Sequence, residues 1–343
     1  MIALMLAFLA PALVGQIVEM RPVDRWLQPL VIDSNAPSFW RDGELVIYSS
    51  VGTPMMSVGN SQFDLGPAVP VNIANRSRFP MWIESVWQDG NGLVYAWYHH
   101  EPGGLCPGSR LTSPEIGALI SFDGGRSFSD FGIVLKSADA PDCSARNGYF
   151  ASGHGDFSVI LDRESRYFYF LFGNYGGDVT NQGVAIARMP FADRNRPAGA
   201  VQKYFEGQWS EPGLGGRVSP VFPAKTAWQA EDADAFWGPS IHWNYYLGTY
   251  VAVMNRSCCE PGWPQEGIYI TFNADLENPQ GWAEPAKILG DVGNWYPRVM
   301  GIGPGETDSE AGQVVRLYVR ETSDFEIVFY RFDELPLPPE PPE

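Results

Sequence analysis

The sequence predicts an all-β fold, a five-bladed β-propeller, and three observations lead there. A strand–turn–strand signature recurs along the chain at roughly 40–80 residue intervals, the spacing of a propeller or array. No long stretch carries apolar residues at the 3.6-residue period of an amphipathic helix. Aromatic residues make up 14% of the 343 residues, with 37 Gly and 29 Pro, a composition that suits many short strands and turns.

The signature is clearest at Phe236-Trp237-Gly238-Pro239-Ser240-Ile241-His242-Trp243, followed by Leu247 to Met254. Gly267 to Phe272 reads as a third strand and Trp282 to Leu289 as a fourth, which completes one blade. Ala36-Pro37-Ser38-Phe39 before Leu45 to Tyr48 opens an earlier blade. Glu84 to Trp87 before Leu93 to Trp97 opens the next, and Asp156 to Val159 before Tyr167 to Phe170 a third. Tyr296 to Val299 before Val314 to Tyr318 opens the last. Val18 to Pro29 is expected to wrap the outside or close the ring. Ser121-Phe122-Asp123-Gly124-Gly125-Arg126-Ser127-Phe128 matches an Asp-box, whose aspartate holds the turn between the outer strands of a blade.

Residues 1–17 read as a signal peptide or N-terminal anchor, residues 18–334 as the propeller and 335–343 as a disordered Pro-rich tail. Met1 to Val14 is apolar but has no basic residues ahead of it, and export, to a secreted or periplasmic location, is the expectation. The four cysteines then suggest disulfides, with Cys106–Cys143 and a vicinal Cys258–Cys259 pair preferred over free thiols. The net charge of −17 argues against nucleic acid and anionic membrane surfaces as partners. A monomer is expected, with no membrane contact beyond the possible anchor.

Polar residues just before each innermost strand line the mouth of a propeller channel, and they are the candidates for chemistry. Asp33 and Asn35 precede the first, with a turn-capping role as the alternative for Asp33. Glu84 lies among Ile83, Val86 and two tryptophans, where a desolvated carboxyl has a raised pKa and serves as a general acid. Its structural alternative is an ion pair with Arg146 or Arg298. Asp156 follows His154 and Gly155, and the glycine allows close approach of a ligand. His99 and His100 are adjacent on a strand and face opposite sides, so no shared metal is expected. Tyr149, Trp237, Trp295 and Tyr296 are candidate stacking platforms for a ligand. Trp87, inside a strand, reads as core.

These segments resemble the five-bladed propeller glycoside hydrolases, the group that includes families 43, 62, 32 and 68. Gly155-Asp156-Phe157-Ser158 is similar to their third-blade element and Trp237-Gly238-Pro239 to their fourth. Gly267-Ile268 through Asp275-Leu276 to Trp282 resembles their blade ending. The resemblance implies a carbohydrate substrate cleaved by paired carboxylates, with Glu84 as acid, Asp33 as base or nucleophile and Asp156 tuning pKa. It implies substrate contacts from Asn35, His154, Trp237, Trp295, Tyr296 and Arg298, no required cofactor, and room for a calcium ion near His154. Two positions depart from the pattern: Trp237 stands where the fourth-blade acid belongs, and Ala36 fills the first-blade aspartate slot. A non-catalytic carbohydrate-binding propeller is therefore the second reading. A sialidase-like enzyme, suggested by the Asp-box, is the third.

Overall fold

A computed structural model describes residues 18–290 and 295–331; the expected leader, the Pro-rich tail and Asn294 lie outside them. The chain forms five sheets, antiparallel but for two short parallel pairings, arranged as the blades of a propeller. The innermost strands are Ser38–Arg41, Met81–Gln88, His154–Leu161, Ala235–Asn244 and Pro297–Gly301. Each pairs with the next strand of its own blade, so every blade begins with an antiparallel pair at the channel. All five sequence signatures fall on these pairs.

The blades are buried on both faces, and this explains why their strands read as continuous apolar runs rather than alternating ones. In Tyr167–Asn174, Phe168, Phe170 and Phe172 pack toward the second blade. Tyr169 and Leu171 point the other way, toward Ile241, Tyr250 and Met254 of the fourth blade. The period-2 geometry of a strand sends successive side chains into two different inter-blade cores. The first blade does the same: Val46 and Tyr48 meet Ile83 and Tyr98, while Leu45 and Ile47 meet Met300 and Tyr318. Val251 and Val253 join Val315 and Ile327 between the fourth and fifth blades. Five interfaces close the ring.

Closure is also made by hydrogen bonds. Val18–Leu27 runs antiparallel to Thr322–Phe329 and forms the outermost strand of the last blade, tying the two ends of the described chain together. The Asp-box behaves as expected. Asp123 accepts from the main-chain nitrogens of Arg126 (3.0 Å) and Ser127 (2.9 Å) and from Ser127 Oγ (2.6 Å), in the turn between Glu115–Ser121 and Ser127–Leu135. Both expected disulfides are present, Cys106–Cys143 and Cys258–Cys259. Among the described residues, no helix is long and apolar enough to cross a membrane.

Candidate active site

A single irregularity, repeated in three blades, builds the site. The innermost strand loses register with its partner between Ile83 and Ser85, between Gly155 and Phe157, and between Trp237 and Ser240. Bulges of this kind re-aim a side chain. The serines that follow are equivalent rungs: Ser85 Oγ accepts Val159 N at 2.7 Å and Ser158 Oγ accepts Ile241 N at 3.3 Å. Glu84 and Asp156 are the residues the first two bulges leave unpaired. Asp156 takes a left-handed φ of 43°, which an aspartate tolerates better than a branched residue.

The two carboxylates converge on His99, which arrives from Val94–His100, the second strand of its blade. Glu84, His99 and Asp156 each bring a polar atom within 4.8 Å of the others, and all three are buried. Glu84 Oε1 lies 3.1 Å from His99 Nδ1, and Glu84 Oε2 accepts the Phe157 main-chain N–H at 2.8 Å. His99 Nε2 faces Glu101 Oε1 at 3.4 Å, nearer the surface. The partner of Glu84 is thus a histidine and not an arginine: Arg146 pairs with Glu231, and Arg298 donates to Gln28. The hydroxyl of Tyr175 donates to Asp156 Oδ2. His100 points away and meets Pro80 O, as the strand geometry requires.

Burial governs the proton inventory. It pushes the Glu84 carboxyl up to about 7, against the pull of His99. It raises Asp156 as well, again opposed by His99. Burial alone would lower His99, but its contacts with Glu101 and Glu84 win and hold it protonated well above the ordinary imidazole range. The same triad would otherwise suit a cation, and the imidazolium supplies the positive charge instead.

Asp33 sits at the rim, with its side chain 42% exposed, 3.9 Å from Arg320 Nη2. Partial burial raises its pKa while Arg320 lowers it, and it lies within electrostatic reach of Glu101 and His99. Asn35 plays a different part from its neighbour. It is buried, and its Nδ2 donates to Phe157 O (2.7 Å) and Pro239 O (2.9 Å), which clamps the first blade to the third and fourth across the channel.

Of the other expected contacts, Trp237, Trp295 and Tyr296 meet in one aromatic cluster, with Trp237 5.4 and 5.3 Å from the other two rings. Trp237 is buried and donates to Gln265 Oε1 at 2.8 Å. Trp295 is half-exposed beneath the Arg320 guanidinium, and Tyr296 holds a φ of 60°, a strained value for a bulky residue. His154 and Arg298 lie deeper. His154 Nε2 meets Lys203 Nζ at 2.8 Å, an amine that gives a calcium ion no oxygen ligand, and Arg298 is buried over the Tyr318 ring.

Sequence reading asks of His99 only whether it shares a metal with His100, and does not single out Glu101, Tyr175, Trp263 or Arg320. A simple signal was available. In a hairpin the second strand ends beside the start of the first, so residues closing second strands return to the mouth. His99, Tyr175 and Arg320 all sit at that place, after pairings such as His154↔Asn174 and Pro297↔Val319. Trp263, in the loop after the fourth blade's second strand, packs 4.8 Å from Tyr149 and 4.6 Å from Trp228.

No family model matches the sequence, and no curated protein does. Solved structures match the fold. A thermostable family-43 glycoside hydrolase superposes with a TM-score of 0.54 at 10% identity, covering 92% of this chain and 96% of that one. The endo-arabinase of Bacteroides thetaiotaomicron gives 0.54 at 10% identity over 89% and 96%. The exo-β-1,3-galactanase of Clostridium thermocellum gives 0.51 at 10% identity over 90% of this chain and 63% of that larger one. These are similarities of fold: the chain is a five-bladed β-propeller built like the family-43 glycoside hydrolases.

Proposed function

We propose that the chain is an exported glycoside hydrolase-like protein that cleaves a glycosidic bond of a neutral oligo- or polysaccharide at the channel mouth. One observation carries the reading: Glu84, Glu101 and Asp156, from two blades, gather around His99, with Asp33 of a third blade in electrostatic reach. Four carboxylates around one imidazolium are costly to assemble unless the group has work to do.

In this proposal Glu84 keeps His99 charged rather than touching sugar, since it is 2% exposed and both its oxygens are engaged. The His99 imidazolium gives its Nε2 proton to Glu101, which is open to the mouth, and Glu101 gives it to the leaving glycosidic oxygen, while Nδ1–H stays on Glu84. Asp33 serves the opposite side of the bond, taking a proton from the attacking water or attacking the anomeric carbon itself. Asp156, fixed by Tyr175, sets the field around His99. The half-exposed rings of Tyr149 and Trp295 offer faces for sugar C–H groups. The fold neighbours include an endo-arabinase and an exo-β-1,3-galactanase, so arabinans and galactans are the first substrates to test.

A non-catalytic carbohydrate binder is the second reading, and Trp237 favours it, because an indole in the fourth-blade acid position transfers no proton. The test is hydrolysis of aryl glycosides and polysaccharides by wild type, Asp33→Asn, Glu101→Gln, Glu84→Gln and Asp156→Asn. Loss of about 100-fold or more in Asp33→Asn and Glu101→Gln, with folding intact, supports the hydrolase. Sugar binding without hydrolysis by wild type would favour the binder. Hydrolysis indifferent to all four changes would sink the site.

A further inference from the structure

The innermost strands that start at the acidic mouth end at a second, unassigned site. A cavity of about 480 Å³ opens where Gln88, Asp162 and Trp243 close their strands, and a second of about 280 Å³ adjoins it. The first alone falls in the size range of small-ligand pockets. Asp162, Arg163 and Trp243 line both. The six residues from Asp156 to Leu161 place this end roughly 16 Å along the strand from the carboxylate cluster. Between them Asn35 bridges the channel to Phe157 O and Pro239 O.

The lining is mixed in a particular way. Trp87 and Trp243 are half-buried indoles on two different blades, and both line the larger cavity. Beside them Asp162 is buried, its Oδ1 accepting Arg166 N at 2.6 Å while Oδ2 has no hydrogen-bond partner and only Arg166 Nε at 3.7 Å. A strap crosses the cavities where they meet: Arg163 Nη1 reaches Glu310 Oε1 at 2.7 Å, with the guanidinium 5.3 Å from the Trp243 ring. Both partners of that strap are exposed, at 48% and 58% of their side chains, so opening it costs little. Indole faces suit sugar C–H surfaces, while carboxylates and a guanidinium suit hydroxyl pairs. Asp162, Glu164, Glu277 and Glu310 around the cleft disfavour an anionic ligand.

We propose that this opposite face binds a neutral oligosaccharide along the Trp87–Trp243 cleft, with its hydroxyls on Asp162, Arg163 and Glu310, at a site independent of the mouth. The strap opens to join the two cavities, so a trisaccharide binds more tightly than a monosaccharide. The site would hold a polymer on the side of the propeller remote from the acids, whether or not those acids cleave it.

The experiment is calorimetric titration of the full chain with arabinotriose, β-1,3-galactotriose and xylotriose, and with the parent monosaccharides. It is run on an Asp33→Asn/Glu101→Gln background that stops cleavage at the mouth. A trisaccharide is expected to bind that background, tenfold or more weakly after Trp243→Ala, and severalfold more weakly after Glu310→Gln. The second substitution lies on an exposed side chain and keeps the test valid should Trp243→Ala misfold. Binding unchanged by either substitution, or no trisaccharide bound by this background, overturns the proposal. Hydrolysis by the parent chain is scored separately. Cleavage without opposite-face binding rejects this site and leaves the mouth reading standing, and binding without cleavage does the reverse.

Discussion

Glu84→Gln isolates the electrostatics of the mouth, because glutamine keeps the shape of the side chain and removes its titration. In the native protein the Glu84 carboxyl ionises near pH 7, against 4.5 for an ordinary glutamate, chiefly because it is buried. Between those values the native state holds a proton that the unfolded chain has already released. Stability is therefore full below about pH 4.5 and is lost as pH rises through about 7. At about 1.4 kcal/mol for each pH unit between the two values, the loss approaches roughly 3 kcal/mol. His99 acts in the same direction: raised by Glu101 and Glu84 despite its burial, it contributes stability that is present below the ordinary imidazole value and lost above its native one. Glutamine in place of Glu84 removes both the carboxyl titration and one of the anions that keep His99 charged. The Phe157 main-chain N–H still finds an amide oxygen. The variant should thus gain on wild type by about 3 kcal/mol between pH 4.5 and pH 8, a relative shift in Tm on the order of 5 °C for a chain of this size. Urea denaturation of both proteins across that range measures it. A stability difference that stays constant with pH would refute the buried, shared proton and with it the relay to Glu101.

Lys203 provides the opposite slope. Burial brings its ammonium down to about 7 from 10.5, so between those values the unfolded chain binds the extra proton and stability rises with pH; Lys203→Met should abolish that rise in denaturation curves taken from pH 7 to 10. Asp123→Ala removes the acceptor for four bonds of the Asp-box turn and should cost about 1–2 kcal/mol in thermal denaturation, with sugar binding and hydrolysis unaltered. Replacing Cys106 and Cys143 by serine opens a bridge spanning 37 residues of sequence and should cost about 2–4 kcal/mol, measured as lost Tm under non-reducing conditions.

The propeller was legible because every blade repeats one local instruction. A short inner strand, a turn and a double-sided apolar strand such as Tyr167-Phe168-Tyr169-Phe170 can be satisfied only between two other sheets. Glu84 and Asp156 were legible for a related reason: a carboxylate inside a strand that buries both faces has no place in the core and must serve the channel. Their partners were not. Nothing in Tyr98-His99-His100-Glu101 says which histidine faces Glu84, since that depends on the bulge at Glu84 shifting the register by one residue. Asn35 stands at the mouth in sequence, and its amide donors go to the main chain of two other blades, a long-range pairing no local pattern announces.

The division between legible and illegible residues follows the division of labour in the fold. Inter-blade packing uses pairs of neighbouring sheets, and its pattern is written into each strand separately. The site instead uses residues from several blades at one depth, chosen by bulges that displace a side chain by a single position. Chemistry at the mouth can therefore differ from blade to blade while the ring stays the same, and the fourth blade is an example. Its bulge between Trp237 and Ser240 repeats those that present Glu84 and Asp156, but the residues it presents are Gly238 and Pro239. This bulge presents no acid. The proposed hydrolysis therefore delivers its proton from the second blade, through His99 and Glu101. It predicts that no substitution of Trp237 by another aromatic residue abolishes hydrolysis, whereas Glu101→Gln does.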